Sequence, residues 1–442
     1  MPFDKRVLIV SYNYPPVGTV GSLRVTKITG RLPSLGWYPT VMSVTKDISK
    51  PSSWDETEGE FPEVKVVRAP FLDPLTFVQR ALRKAGLLSS NAQGGGKEGK
   101  SSEVSSVLKR FVRWLARWGT FPDRYLLWVP SALIASLKEL ETEGYSLIFS
   151  TSPPLSNHFV AYLLSRLKGI PWVADLRDPW AHGYLDLSST EIALHKRLER
   201  AVLRRASAVT AVYDSLAREI ERDCRMEDGS VVHISIGFDP LEYPYNVSPT
   251  REKFVLTFTG SVYGLKQDPR PLFEVIEELI DEGSICPEEI VVRFYGPPDE
   301  SLEKLRDTLR YPEIMEVHGV VKRREVLMRQ RESSALLVLL WDNPYTAKYF
   351  GGKVFEYLGA KRPILAWCPA GGEIVSLLER SGAGVAVTSK NELKEVLRKW
   401  VRQYMENGEI ELPEGSTELS SYHWDRIASR MVEVFDRVIS AK

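Results

Sequence analysis

Between Tyr345 and Ala366 the chain places two glycines, a lysine and a glutamate at spacings suited to phosphate and hydroxyl chemistry. The apolar run Leu336–Leu340 reads as a buried strand. Gly351 and Gly352 permit a sharp turn and close backbone approach, and a short helix begins near Lys353. Arg362-Pro363 stops that helix, and Pro363–Trp367 starts the next strand. The first turn of a helix presents N–H groups without intrahelical partners, an anion pocket to which Lys353 adds a full positive charge. Glu356 lies one turn on, and helical side chains lean toward the N-terminus, so its carboxylate can overhang that pocket. A carboxylate beside a phosphate is repulsive unless it accepts hydrogen bonds, and sugar hydroxyls are the obvious donors. The stretch reads as a site for the phosphates and ribose of a nucleotide. The plainer alternative is an ordinary strand-turn-helix crossover with a solvated Lys and Glu.

Four other groups of residues carry chemistry. The loop Thr259–Asp268 follows an apolar strand and holds Gly260, Ser261 and Lys266. Lys266 and Lys353, from two strand ends of one sheet, could clamp a diphosphate as compact point charges. The strand starting at Trp172 carries Asp175, Arg177 and Asp178 at its C-terminal end, where open parallel sheets bind ligands. A buried structural Asp–Arg–Asp network is the competing explanation. His182, in the next loop, is within reach of a ligand, although most lone loop histidines do nothing specific. Gly18 and Gly21 give only a GxxG spacing, which disfavours dinucleotide binding. Such a loop still suits an anion or sugar, or is a plain turn. Finally, Val104–Trp118 has Leu108, Phe111, Val112 and Leu115 on one helical face, and Lys109, Arg110, Arg113 and Arg117 on others. With Trp114 and Trp118 at the boundary and no acid, it suits a helix lying on an anionic membrane surface, or one packed on its own domain.

The elements that position these groups alternate strand and helix. Apolar runs at Arg6–Ser11, Pro39–Val44, Val64–Ala69, Ser146–Ser150, Ala206–Val212 and Val231–Ile236 build a first series. Ser89–Ser106 is Gly/Ser/Lys-rich, a composition expected of a mobile insertion. The stretch from Gly237 to Glu252 has three prolines and reads as the interdomain linker. From Phe254 a second series begins, and Trp424–Val438 has helical periodicity with Ile427, Met431, Val434 and Val438 on one face. The fold class is therefore α/β, two doubly wound units in succession. The expected domains are 1–240 with a basic insertion at about 75–120, 253–420, and a terminal helix over 421–442.

Bulk properties narrow the function. A chain of 442 residues, 43% hydrophobic and 26% charged, suits two or three soluble domains. The formal net charge is zero, so no global field steers it to nucleic acid. Cys224, Cys286 and Cys368 have neither metal spacing nor a disulfide framework, which fits a reducing, cytoplasmic setting. No signal peptide is expected, and no window approaches a membrane span.

Taken in order, Tyr14-Pro-Pro, Phe121–Trp128, Ala174–Trp180, Thr259-Gly-Ser261, Gly352–Tyr357 and Tyr422–Asp425 resemble a GT-B glycosyltransferase of retaining family 4. The resemblance covers nearly the whole chain. It implies two Rossmann-like domains facing a cleft, with the acceptor on the N-terminal side and the nucleotide-sugar donor, UDP- or GDP-linked, on the C-terminal side. It implies a last helix crossing back to the first domain. Glu356 matches the second glutamate of the family's E-x7-E motif and should hold ribose. The first glutamate falls at Lys348, a departure, so sugar contacts must come partly from elsewhere, such as the backbone of Tyr349, Phe350, Gly351 and Gly352. The family's basic pair falls at Ser261 and Lys266, so its first arginine is missing. Asp175, Arg177 and Asp178 lie near the family's position beside the reacting sugar and, with Lys266, are the catalytic candidates. No Asp-x-Asp motif occurs, and the resemblance implies no metal and no cofactor. It implies retaining transfer to a polysaccharide or lipid-linked acceptor at the inner membrane face. A nucleotide-sugar epimerase and a non-catalytic nucleotide-sugar-binding protein are the other classes.

Overall fold

The computed structural model describes residues 5–16, 20–45, 61, 63–71, 121–181, 187–244, 246–341, 348–412, 414–415 and 419–441. The basic Trp-bearing stretch, Gly18 and His182 lie outside the described residues.

Two parallel sheets account for the strands. The first holds β1 (Lys5–Val10), β2 (Trp37–Val44), β3 (Lys65–Ala69), β4 (Leu147–Ser152), β5 (Trp172–Leu176), β6 (Ala208–Ala211) and β7 (Val231–His233). Their order is β3-β2-β1-β4-β5-β6-β7. The crossovers use α1 (Val20–Thr29), α2 (Val129–Thr142), α3 (Ser156–Lys168), α4 (Ser189–Leu203) and α5 (Asp214–Cys224). The second sheet holds β8 (Phe254–Thr259), β9 (Ile290–Tyr295), β10 (Met315–Gly319), β11 (Ala335–Leu339), β12 (Ile364–Trp367) and β13 (Gly384–Val387), ordered β10-β9-β8-β11-β12-β13. Around it lie α6 (Arg270–Asp281), α7 (Glu300–Thr308), α8 (Arg323–Glu332), α9 (Lys353–Ala360), α10 (Glu373–Ser381) and α11 (Lys390–Asn407).

Burial follows position in each sheet. The central strands β4, β8 and β11 are buried at every residue, as expected of strands covered by helices on both faces, whereas edge strands β3 and β10 are mostly half-exposed. In both sheets the strand order reverses beside the first strand of the series, β1 with β4 and β8 with β11. Ligands of open parallel sheets bind outside the carboxyl ends at such points.

The last helix, α12 (Trp424–Ser440), buries Ile427, Met431, Val434 and Val438 in one cluster with Val7, Ile9, Trp37 and Phe149 of the first sheet. Phe435 stands edge-on to Trp37 at 5.2 Å and to Phe149 at 5.5 Å. The chain passes between the sheets once near Phe238 and again before Trp424. These two passages are joined: Phe238 N–H donates to Tyr422 O at 2.9 Å and Trp424 N–H to Phe238 O at 3.1 Å. Gly237 is required there, because a Cβ would stand 2.5 Å from Tyr422 O. Among the described residues no helix is long and apolar enough to cross a membrane.

Candidate functional site

The second sheet's switch point is built from three local structures. β8 ends at Thr259, whose N–H donates to the Tyr357 hydroxyl of α9 at 2.9 Å, so strand end and helix are fastened together. Gly260 follows at φ +120°, a conformation that favours glycine, and an added Cβ would collide with the Lys353 ammonium. Lys353, the first residue of α9, has its ammonium 4.5 Å from the centroid of the buried Phe258 ring. Burial pulls its pKa down from 10.5 to about 8, against the opposing pull of Glu356. Among the described residues it forms no ion pair or hydrogen bond. A poorly solvated ammonium at a helix N-terminus is a place for an anion. Lys266, in the loop after β8, has its ammonium 4.8 Å from the centroid of Trp341, which follows β11. Ser261 continues the turn after Gly260 and is half-buried.

Glu356 is held from one side. Arg323, at the start of α8, donates from Nη1 to Glu356 Oε1 and from Nη2 to Glu242 Oε2 at 3.0 Å. Burial opposes the Arg323 charge, but the two carboxylates outweigh it and raise its pKa. Tyr243 donates its hydroxyl to the Glu356 backbone carbonyl at 2.6 Å, while its ring lies against Gly359, where a Cβ would stand 2.6 Å from Cε2. From Glu242 the charges continue to Lys27 of α1, and Lys27 lies 3.9 Å from Asp239. Arg31, two residues past α1, then bridges Asp239 at 2.8 Å and Asp425 of α12. This alternating chain ties the Glu356 carboxylate to Asp239 and Glu242 between the two sheets, and to α1 and α12. Sequence reading missed Arg323; the only signal was the basic run Lys322–Arg324 opening a helix.

The loop before α9 faces the first sheet. Phe350 O accepts from the Tyr213 hydroxyl, and Tyr349 donates its hydroxyl to Glu219 of α5 at 2.8 Å. Lys348, standing where a sugar-holding glutamate was expected, lies 3.5 Å from the same Glu219 carboxylate. Tyr349 and Phe350 side chains are buried, whereas Gly351 is exposed and Gly352 half-buried at the turn into α9.

The first sheet arranges its candidates differently from expectation. Asp175 is fully buried and does not pair with Arg177. Arg24 of α1 donates to both its oxygens, Nε to Oδ2 at 3.1 Å and Nη2 to Oδ1 at 3.0 Å, and Thr151 and Thr210 add bonds at 2.8 and 2.7 Å. Burial pushes its pKa up, but Arg24 and the two hydroxyls win, and the carboxylate is held below its ordinary range. Four hydrogen bonds leave this carboxylate committed to the fold, so the reading of Asp175 as a group beside the sugar is replaced by the network reading, with Arg24 as partner. Arg177 is turned back onto the chain, its guanidinium donating to Ser152 O at 2.9 Å and to Pro153 O. Of these three residues only Asp178 is half-exposed. Gly21 lies in the first turn of α1. Asp123, in the Phe121–Trp128 motif, accepts from Ser156 N–H at the start of α3 at 2.9 Å and from Tyr125 N–H of its own turn at 2.8 Å.

Comparison with known proteins fits this geometry. Residues 102–237 match the model of the glycosyl transferase 4-like domain. The whole chain superposes on GT-B structures. The chain as a whole has the GT-B fold. A sucrose-phosphate synthase from Thermosynechococcus elongatus matches this chain with TM-score 0.63 and 14% identity, over 99% of this chain and 100% of that one. A glycosyltransferase from Rickettsia africae ESF-5 gives 0.57 and 11%, over 99% and 100%. WaaG, a glycosyltransferase involved in lipopolysaccharide biosynthesis, gives 0.54 and 13%, over 97% and 99%. At these identities the structural likenesses show the fold. Comparison of the sequence with curated proteins returns no match.

Proposed function

We propose that the transferase moves a sugar, with retention of anomeric configuration and without a metal, from a UDP- or GDP-linked donor to a hydroxyl acceptor. The observation that carries this reading is the Lys353 ammonium, sunk against Gly260 and Phe258 at the N-terminus of α9, with Glu356 oriented one turn away. In this reading the diphosphate lies on Lys353, Lys266 and the N–H groups of Gly351 to Lys353, and the free lone pairs of Glu356 accept from ribose. Fixed cations and a helix terminus stabilise the departing diphosphate by preorganised electrostatics. The acceptor hydroxyl attacks on the face the leaving group vacates, and a departing phosphate oxygen takes its proton. Of the acids at the end of β5, half-exposed Asp178 suits a place beside the reacting sugar.

The test is donor binding and turnover by purified protein. A matching nucleoside diphosphate raises the melting temperature in proportion to affinity. Glu356→Ala and Arg323→Leu each reduce that rise and weaken donor binding about tenfold, the worth of one to two charge-assisted hydrogen bonds. Turnover persists in EDTA, and NMR of the product shows the donor's anomeric configuration. Conversion of the donor without any acceptor, or loss of activity in EDTA, overturns the proposal.

The acceptor we propose is a polysaccharide or lipid-linked glycan precursor at the inner membrane face, with the basic Trp-bearing segment as a peripheral anchor. Co-sedimentation with anionic liposomes should fall when Arg110, Arg113 and Arg117 are all changed to Glu, by about 1 kcal/mol for each removed charge. Unchanged binding refutes the anchor.

A further inference from the structure

A cavity of about 290 Å³ lies between α4 and α5, bounded by the Pro179–Ala181 turn that follows β5. Trp180, Ile192, Leu216 and Ile220 give it apolar walls. Its polar lining is unbalanced: Glu199, Glu219 and Asp223 against Lys196. Lys196 is committed to Asp223 at 2.8 Å, and Glu219 to Tyr349 and Lys348. Glu199 is left. It lines the cavity, is only 7% exposed, and forms no hydrogen bond or ion pair among the described residues. A buried carboxyl without a partner is costly unless something else meets it.

We propose that this cavity binds a primary amine carried on an apolar or ring-shaped body, with the ammonium against Glu199. An ammonium supplies the missing positive charge, the walls take the body, and a phosphate or carboxylate is repelled by the three acids. Because Glu219 belongs both to the cavity wall and to the contact with the donor loop, the cavity lies beside that loop. Its use as an anchor for an amine-bearing acceptor rests on the transfer reading; the binding itself does not.

Burial, then Asp223 and Glu219, push Glu199 up to about 8, while Lys196 and Arg200 of its own helix pull down. The Cys224 thiol of α5 also feels its charge. An incoming ammonium therefore displaces the Glu199 proton, and binding tightens as pH rises toward 9.

The experiment is calorimetry of the full chain, without nucleotide, with hexylamine, hexanol and hexanoate. An alkyl amine stays charged over this range, titrating near lysine's value of about 10.4. Hexylamine is expected to bind at least tenfold more tightly than either analogue at pH 9, and roughly tenfold more tightly at pH 9 than at pH 7. Glu199→Gln abolishes the pH dependence; Ile192→Trp fills the cavity and blocks binding with Glu199 intact, which serves if the first variant misfolds. Equal binding of hexanol, a pH-independent affinity, or wild-type affinity in either variant overturns the proposal. Since no donor is present, such a failure leaves the transferase reading standing.

Discussion

Lys353→Met is expected to make the protein more stable and, under the proposed function, unable to hold its donor. The depression of this ammonium from 10.5 to about 8 corresponds to roughly 3 kcal/mol. Residual solvent contact brings the expected gain to on the order of 2 kcal/mol at pH 7. Below pH 8 both folded and unfolded chains carry the proton, and the folded state bears the cost of burying it. Between pH 8 and 10.5 the unfolded chain binds a proton that the folded chain does not, so wild-type stability rises with pH across that window. Urea unfolding should therefore show the variant ahead at pH 7 and the gap closing by about pH 10.5. Donor affinity moves the other way. The variant should bind nucleoside diphosphate about a hundredfold more weakly, for loss of a charge-assisted contact of 2 to 3 kcal/mol. Wild-type donor affinity should be flat below pH 8 and weaken above it. A variant no more stable than wild type, or one that still binds donor, refutes the assignment of Lys353 to the phosphates.

Asp175→Asn separates a structural from a chemical role. The substitution removes the anion that neutralises the buried Arg24 guanidinium, which also holds Ile234 O at 2.9 Å and so joins α1, β5 and the end of β7. Leaving a charge buried and unpaired costs about 3–5 kcal/mol, read as a lower urea midpoint. The carboxylate's pKa is lowered in the folded state, so its stabilisation is present above the unfolded value near 3.8 and lost as pH falls through the folded one. The acid limb of the stability profile should accordingly flatten in the variant. Unchanged stability with abolished turnover restores Asp175 to the chemistry.

Elements whose signal is local were readable in advance. The apolar runs of β1, β4, β8 and β11 locate both sheets, and the face of α12 is the one its periodicity marks, because burial on both sides of a parallel strand or along one helix stripe imprints composition directly. The turn at Gly351–Lys353 was readable for the same reason. Partners distant in sequence were not. Asp175 and Arg24 are 151 positions apart, so a neighbour in sequence, Arg177, was the visible candidate. Arg323 meets Glu356 across 33 positions, and Lys348 meets Glu219 only because two sheets face each other. Pairing of charges is decided by tertiary approach, for which sequence spacing carries no periodic trace.

Two passages of chain link the sheets, and Phe238 and His423 are bridged in parallel where they run together. A single tether would leave the second sheet free to swivel in any direction. Two tethers fastened side by side define an axis, and motion about it is a one-dimensional swing. A swing about that axis would move Tyr349 and Lys348 toward or away from Glu219 of α5 along one path.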